Sequence, residues 1–140
     1  IEGLYRSGKT KMIGISNVTP EQLTLLCAQA TVKPMVVQNR CYAALGWDKE
    51  VREICRAQGI IYQGFSLLTA NREVFADPGI RAIAQRLGTG LAQVVFRFAM
   101  QVGMLPLTGT TNPQHMKEDL QAEQLTLTAE DMQVIETIGM

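Results

Sequence analysis

The stretch Lys11–Asn17, KMIGISN, is an apolar run too short for a helix, and it closes on two small polar residues, Ser16 and Asn17. Two more units of the same design follow, Met35–Asn39 (MVVQN) and Ile60–Ser66 (IIYQGFS). Each leads into a stretch with helical periodicity, so strand and helix alternate, which predicts parallel strands covered by helices. In parallel α/β folds chemistry gathers at the carboxyl ends of the strands. Ser16, Asn17, Gln38, Phe65 and Ser66 are therefore the first candidate site residues.

The helices between the strands are readable from their faces and ends. Thr19-Pro20-Glu21-Gln22 supplies an N-cap, a proline at the first helical position and a capping-box glutamine, and Leu23, Leu26, Cys27 and Ala30 then repeat on one face. Val51, Ile54 and Cys55 mark a helix from about Asp48 to Gln58, which Gly59 stops in the left-handed C-terminal position. Asp77-Pro78 opens a third, closed by Gly88. Leu91, Val94, Val95, Phe98 and Val102 form a fourth face, ended by Gly103. Met104–Thr108 reads as a fourth strand, Asn112-Pro113 as the start of the next helix, and Thr128 as the start of a last one carrying Met132, Ile135 and Ile138. The opening Ile1–Ser7 reads as the tail of a helix stopped at Gly8.

Four strand–helix units in 140 residues fit an open sheet or about half of a closed (β/α)8 barrel, which takes roughly 250 residues. The chain opens on Ile1, without an initiating Met and partway through a helical pattern, so further sequence is expected upstream. Thirteen basic and thirteen acidic residues cancel, and no basic run occurs, so neither nucleic acid nor an anionic membrane is an expected partner. A small neutral partner suits this surface better. Three widely spaced cysteines, Cys27, Cys41 and Cys55, form neither a disulfide framework nor a zinc motif and point to a reducing compartment. Cys27 and Cys55 fall on apolar helix faces and are expected in the core. No stretch approaches the roughly 20 apolar residues of a membrane span, so a cytoplasmic protein is expected.

Five collinear blocks carry a family resemblance: Ile13–Asn17, Val37-Gln38-Asn39, Gly64–Leu68, Ala92–Arg97 and Leu127–Met132. In their order and approximate spacing they resemble the aldo-keto reductases, and the part they resemble is the C-terminal half of a TIM (β/α)8 barrel, about strands five to eight with their helices. The whole chain, 1–140, is then one such half-barrel domain with its N-terminal half absent. The resemblance implies an oxidoreductase that moves hydride between NADP or NAD and a small carbonyl substrate, with the cofactor lying across the strand ends.

Carried over residue by residue, the resemblance assigns Ser16, Asn17 and Gln38 to the nicotinamide carboxamide. The chemistry agrees, because a carboxamide offers two donors and an acceptor and is best fixed by neutral polar groups. Phe65 stands where the family usually has a tyrosine stacked on the nicotinamide, so the flat face is kept and the hydroxyl lost. Ser66 matches a pyrophosphate-holding position, and Leu68 lies in the same loop, where the family's Pro-Leu-Gly is here Leu67-Leu68-Thr69. Losing both Pro and Gly puts the shape of that loop in question. At the fourth strand end Gly109 and His115 replace the lysine and arginine that clamp an adenosine 2′-phosphate, while Thr110, Thr111 and Asn112 remain as neutral groups. Glu118 and Asp119 match adenine-contacting positions, and an acidic pair on a solvated helix face is the competing reading.

No catalytic residue and no metal site is expected in this chain. Tyr5, Tyr42 and Tyr62 do not match the family's proton donor, which lies with its partners in the first half of the barrel. His115 is the only histidine, and neither a nucleophile elbow nor a GxGxxG or P-loop motif accompanies it. Two functions follow: the cofactor-binding half of a reductase, inactive as residues 1–140 alone, or a non-enzymatic half-barrel that binds a nucleotide or assembles with a partner half. The expected macromolecular partner is the missing half-barrel, or a second copy of the fragment.

Overall fold

Helix caps set the frame of the molecule. A computed structural model describes residues 1–140, with seven α-helices around four strands. α1 (Glu2–Arg6) is followed by α2 (Pro20–Gln29), which opens on the full Thr19–Gln22 capping box. α3 (Lys49–Gln58) and α4 (Pro78–Leu87) end on Gly59 and Gly88, whose φ values of 68° and 62° need a residue without Cβ strain. α5 (Leu91–Gln101) and α6 (Pro113–Gln121) flank the last strand, and α7 (Ala129–Glu136) opens on a Thr128–Asp131 capping box.

The strands β1 (Gly14–Ser16), β2 (Val36–Arg40), β3 (Ile61–Phe65) and β4 (Met104–Pro106) form one parallel sheet in chain order. β1 and β4 are shorter than their apolar runs because each is an edge, hydrogen-bonded to one neighbour only. Gly14 leaves room for β2: a Cβ there would stand 2.5 Å from the Val36 carbonyl oxygen.

The two faces of the sheet differ. Val37, Tyr62 and Met104 are buried beneath the helices, where they join Leu23, Cys27, Val51 and Cys55 in one core. The alternate residues, Ser16, Val36, Gln38, Arg40, Ile61, Gln63, Phe65 and Leu105, face away from the helices and are half-buried or exposed. A parallel sheet normally has both faces covered. This one presents a helix-free face, as the inner wall of half a barrel does.

The segment Ala43–Asp48 escaped sequence reading. It is a 3₁₀ segment broken by three consecutive left-handed residues, Gly46, Trp47 and Asp48, with φ of 64°, 56° and 57°. Left-handed backbone costs roughly 1–2 kcal/mol per non-glycine residue. The compensation is visible: Trp47 is fully buried, its indole Nε1 donates to the Ile135 carbonyl at 2.8 Å, and its ring lies 5.2 Å from that of Phe98. Arg52, itself buried, donates from Nε to the Trp47 carbonyl at 2.8 Å and from Nη2 to Glu136 at 2.9 Å, fixing α7 against α3. All three cysteines are buried and unpaired.

Candidate functional site

Two buried asparagines hold the strand exits in place. Asn39, on the helix side of β2, accepts from the Val18 amide at 3.0 Å and donates to the Val18 carbonyl and to Asp48 Oδ2, both at 2.8 Å. That clamp fixes the turn leaving β1, so Asn17, at φ 56°, can hold a left-handed conformation that asparagine tolerates. Asn71 is fully buried and does the same for the next two exits. Its Oδ1 accepts from the Ala43 amide at 2.6 Å, and its Nδ2 donates to the Cys41 and Leu67 carbonyls, each at 2.9 Å.

On that support the sequence-predicted residues of the first three strands come together on the helix-free face. Ser16, Gln38 and Gln63 are register partners across β1, β2 and β3. Ser16 Oγ donates to the Gln38 carbonyl at 2.7 Å, which commits its hydrogen and leaves its lone pairs to accept. Gln38 Nε2 donates to Gln63 Oε1 at 3.1 Å, while the Asn17 side chain is exposed. Gln63 was missed at the sequence level, although its spacing of two residues from Phe65 places it on the same face. Arg40 ends β2 opposite Phe65, with its guanidinium carbon 5.4 Å from the ring centroid.

Losing Pro and Gly after Ser66 does not open the loop. Ser66 adopts φ 58°, the Ala70 amide donates back to the Ser66 carbonyl at 3.0 Å, and Leu67 is buried. The amides of Ser66, Leu67, Leu68 and Thr69 donate to no backbone carbonyl, as at the start of any helical turn. They border a cavity of about 340 Å³ lined by Phe65 to Thr69, Phe96 and Leu107 to Gly109. A second cavity, about 260 Å³, shares Leu68, Thr108 and Gly109 with it and continues along Thr110, His115, Glu118 and Asp119. The two form one groove across the ends of β3 and β4, and Leu68 stands where they meet.

The far end of this groove is built differently. Asn112 accepts from the Gln114 amide at 2.9 Å and caps α6, as its sequence position predicts. Thr111 and Asn112 are exposed and flank the second cavity without lining it. Glu118 accepts from Gln114 Nε2 at 2.8 Å, and Asp119 accepts from the Thr108 hydroxyl at 3.4 Å. Gln93, read before only as part of a sequence block, donates to the Glu118 carbonyl at 2.9 Å and ties α6 to α5.

Two titratable groups beneath the strand ends, Cys41 and Tyr62, are held protonated. Burial pushes the Cys41 thiol up to about 12 and, with the neighbouring Cys41 and Asp48, pushes the Tyr62 phenol far above its ordinary range. Tyr62 donates to Asp48 Oδ2 at 2.7 Å on the helix side of the sheet, away from the groove. The first cavity of the groove thus offers hydroxyls, free amides and the Phe65 ring, which suit a phosphate joined to an aromatic group. The second adds His115 and the carboxylates of Glu118 and Asp119, as acceptors suit the donors of a base or ribose; together they fit a long ligand such as a dinucleotide.

The chain matches the family model described as aldo/keto reductase family over residues 1–139. It is 30% identical over 144 residues to the aldo-keto reductase family 1 member A1 of Xenopus tropicalis, covering 96% of this chain and 44% of that protein. It is also 30% identical over 139 residues to a glyoxal reductase of Bacillus subtilis, covering 99% of this chain and 50% of that one. The chain thus spans about half the length of these relatives. Among solved structures, it superposes on Gox0644 with a TM-score of 0.87 at 30% identity, over 98% of this chain and 50% of that one. On MGS-M4, an aldo-keto reductase from a deep-sea metagenome library, the TM-score is 0.88 at 23% identity, over 99% and 52%. The sheet and its helices are thereby half of a reductase barrel.

Proposed function

The chain belongs to the aldo/keto reductase family, and on that premise we propose that it is the cofactor-binding half of an NAD(P)-dependent oxidoreductase that reduces a carbonyl compound to an alcohol. The observation that carries this reading is the continuous groove from Phe65 to Asp119 across the carboxyl ends of parallel strands. Bound there, NADP or NAD supplies the hydride.

The residues of this chain bind and orient. Asn17 and Gln38 hold the carboxamide of the nicotinamide, with Ser16 accepting one of its N–H groups. Phe65 supports the ring by stacking. Ser66 and the free amides up to Thr69, with Leu68 packed against them, take the pyrophosphate. Gly109, Thr110, Thr111, Asn112, His115, Glu118 and Asp119 border the adenosine. The proton for the alkoxide comes from outside these 140 residues, because the groove's one histidine, His115, lines the second cavity and not the one that holds Phe65; such a donor contributes roughly 10²–10⁴ in rate.

The test is NADPH titration of the complete polypeptide that carries these residues, followed by fluorescence. Asn17→Ala and Gln38→Ala should each weaken binding by about 1–2 kcal/mol. Titrations unchanged by both substitutions would refute the carboxamide assignment. Residues 1–140 expressed alone should show no carbonyl-dependent NADPH oxidation, and turnover by that piece would place the acid inside it.

A further inference from the structure

Arg40 is a cation without a carboxylate. It takes part in none of the four ion pairs of the chain, it is exposed, and it ends β2 on the helix-free face. Its guanidinium lies 5.4 Å from the Phe65 ring centroid. Phe65 is followed directly by Ser66, and the Cys41 amide donates to the Phe65 carbonyl at 3.1 Å, so the exits of β2 and β3 run side by side here. Neither cavity of the groove is lined by a lysine or an arginine.

That leaves a charge to be matched. The bridge between the two halves of a dinucleotide carries two negative charges, and amides and hydroxyls alone give it only partial charges. A guanidinium binds phosphate oxygens through paired, charge-assisted N–H bonds, which are stronger than its attraction to the face of a phenyl ring in contact with solvent. Arginine's long stem lets the group exchange the second partner for the first.

We propose that Arg40 is a cofactor-binding residue whose guanidinium leaves the face of Phe65 to pair with the cofactor's pyrophosphate, freeing that face for the nicotinamide. This inference rests on the reading of the groove as a dinucleotide site. It gives the site its cation at β2, on the side of Phe65 away from the Gly109 and His115 positions.

The test uses Arg40→Gln and Arg40→Lys in the complete polypeptide, with three probes: NADPH, ADP-ribose, which keeps the pyrophosphate, and adenosine 2′-monophosphate, which lacks it. Arg40→Gln should weaken NADPH and ADP-ribose about tenfold, leave adenosine 2′-monophosphate unchanged, and flatten the salt dependence of the first two. Arg40→Lys should restore part of the loss. Equal weakening of all three probes would overturn the proposal in favour of a structural role. Unchanged ADP-ribose binding together with a raised KM for a carboxylated aldehyde, but not a neutral one, would overturn it in favour of substrate recognition. A parent protein that binds none of the three probes refutes the dinucleotide reading itself, and this inference with it.

Discussion

The two ends of the groove are held by different physics. At the exits of β1, β2 and β3, the buried Asn39 and Asn71 side chains bond directly to backbone groups of three neighbouring loops. At the exit of β4, α6 buries none of its residues; it is held by the Asn112 cap on the Gln114 amide and by the exposed Gln114–Glu118 bond. The end that would orient a reactive ring is thus fixed from beneath. The end that would hold the adenosine is adjustable, and Gly109 and His115, which on our proposal replace a cationic clamp, lie there. Residues can change on such a surface at small cost in stability, whereas a change beneath the first three exits affects several loops at once.

The largest expected effect is at Asn71. Asn71→Ala leaves one amide and two carbonyls without partners in the interior and should lower stability by about 3 kcal/mol, with Asn39→Ala close behind, measured by urea denaturation. A smaller loss than for a cap at α6 would break the contrast between the ends. At the adjustable end, Gly109→Lys meets no atom within 4 Å of its new Cβ. It should raise affinity for NADPH over NADH about tenfold, from a modest starting preference, with stability changed by less than about 0.5 kcal/mol. A parent preference of several orders of magnitude would show that another group already holds the 2′-phosphate.

Asn112→Ala removes the α6 cap and should cost about 1 kcal/mol. Because α6 is unburied, the loss should appear as faster amide exchange in that helix alone, which sharpens the comparison with Asn71, where exchange should quicken across three loops. The smallest effect is a pH control outside both ends. Burial works against the Asp131 carboxylate, but Arg86, at 2.5 Å, and the Thr128 cap outweigh it and hold its pKa below the ordinary value. The stability this adds is complete above the unfolded pKa of about 3.9 and is lost as pH falls through the folded value. Asp131→Asn should therefore flatten acid unfolding below about pH 4 and leave NADPH binding unchanged.

Much of this architecture is legible in the sequence because it is local. Thr19-Pro20, Asp77-Pro78, Asn112-Pro113 and Thr128 each cap the helix they predict, and Gly59 and Gly88 end theirs. Cys27 and Cys55 lie in the core as their helix faces require. What was not legible depends on partners far along the chain. The run Lys11–Asn17 pairs only over Gly14–Ser16, since a strand ends where its neighbour's hydrogen bonds end. Asn71 reads as an ordinary loop residue until the Cys41 and Ala43 backbone is brought against it. Arg40 falls on the helix-free face only by the alternation of β2, and nothing local distinguishes it from a solvated charge.

Trp47 gives the chain a built-in spectroscopic reporter, and the left-handed turn determines what it reports. It is the only tryptophan, its indole is sealed between Phe98 and the Ile135 carbonyl, and it lines neither cavity of the groove. Its emission should be blue-shifted in the folded protein. Detachment of α7 would shift that emission to the red while the far-ultraviolet signal of the sheet persists, so light collected at two wavelengths would separate the loss of one helix from the melting of the whole.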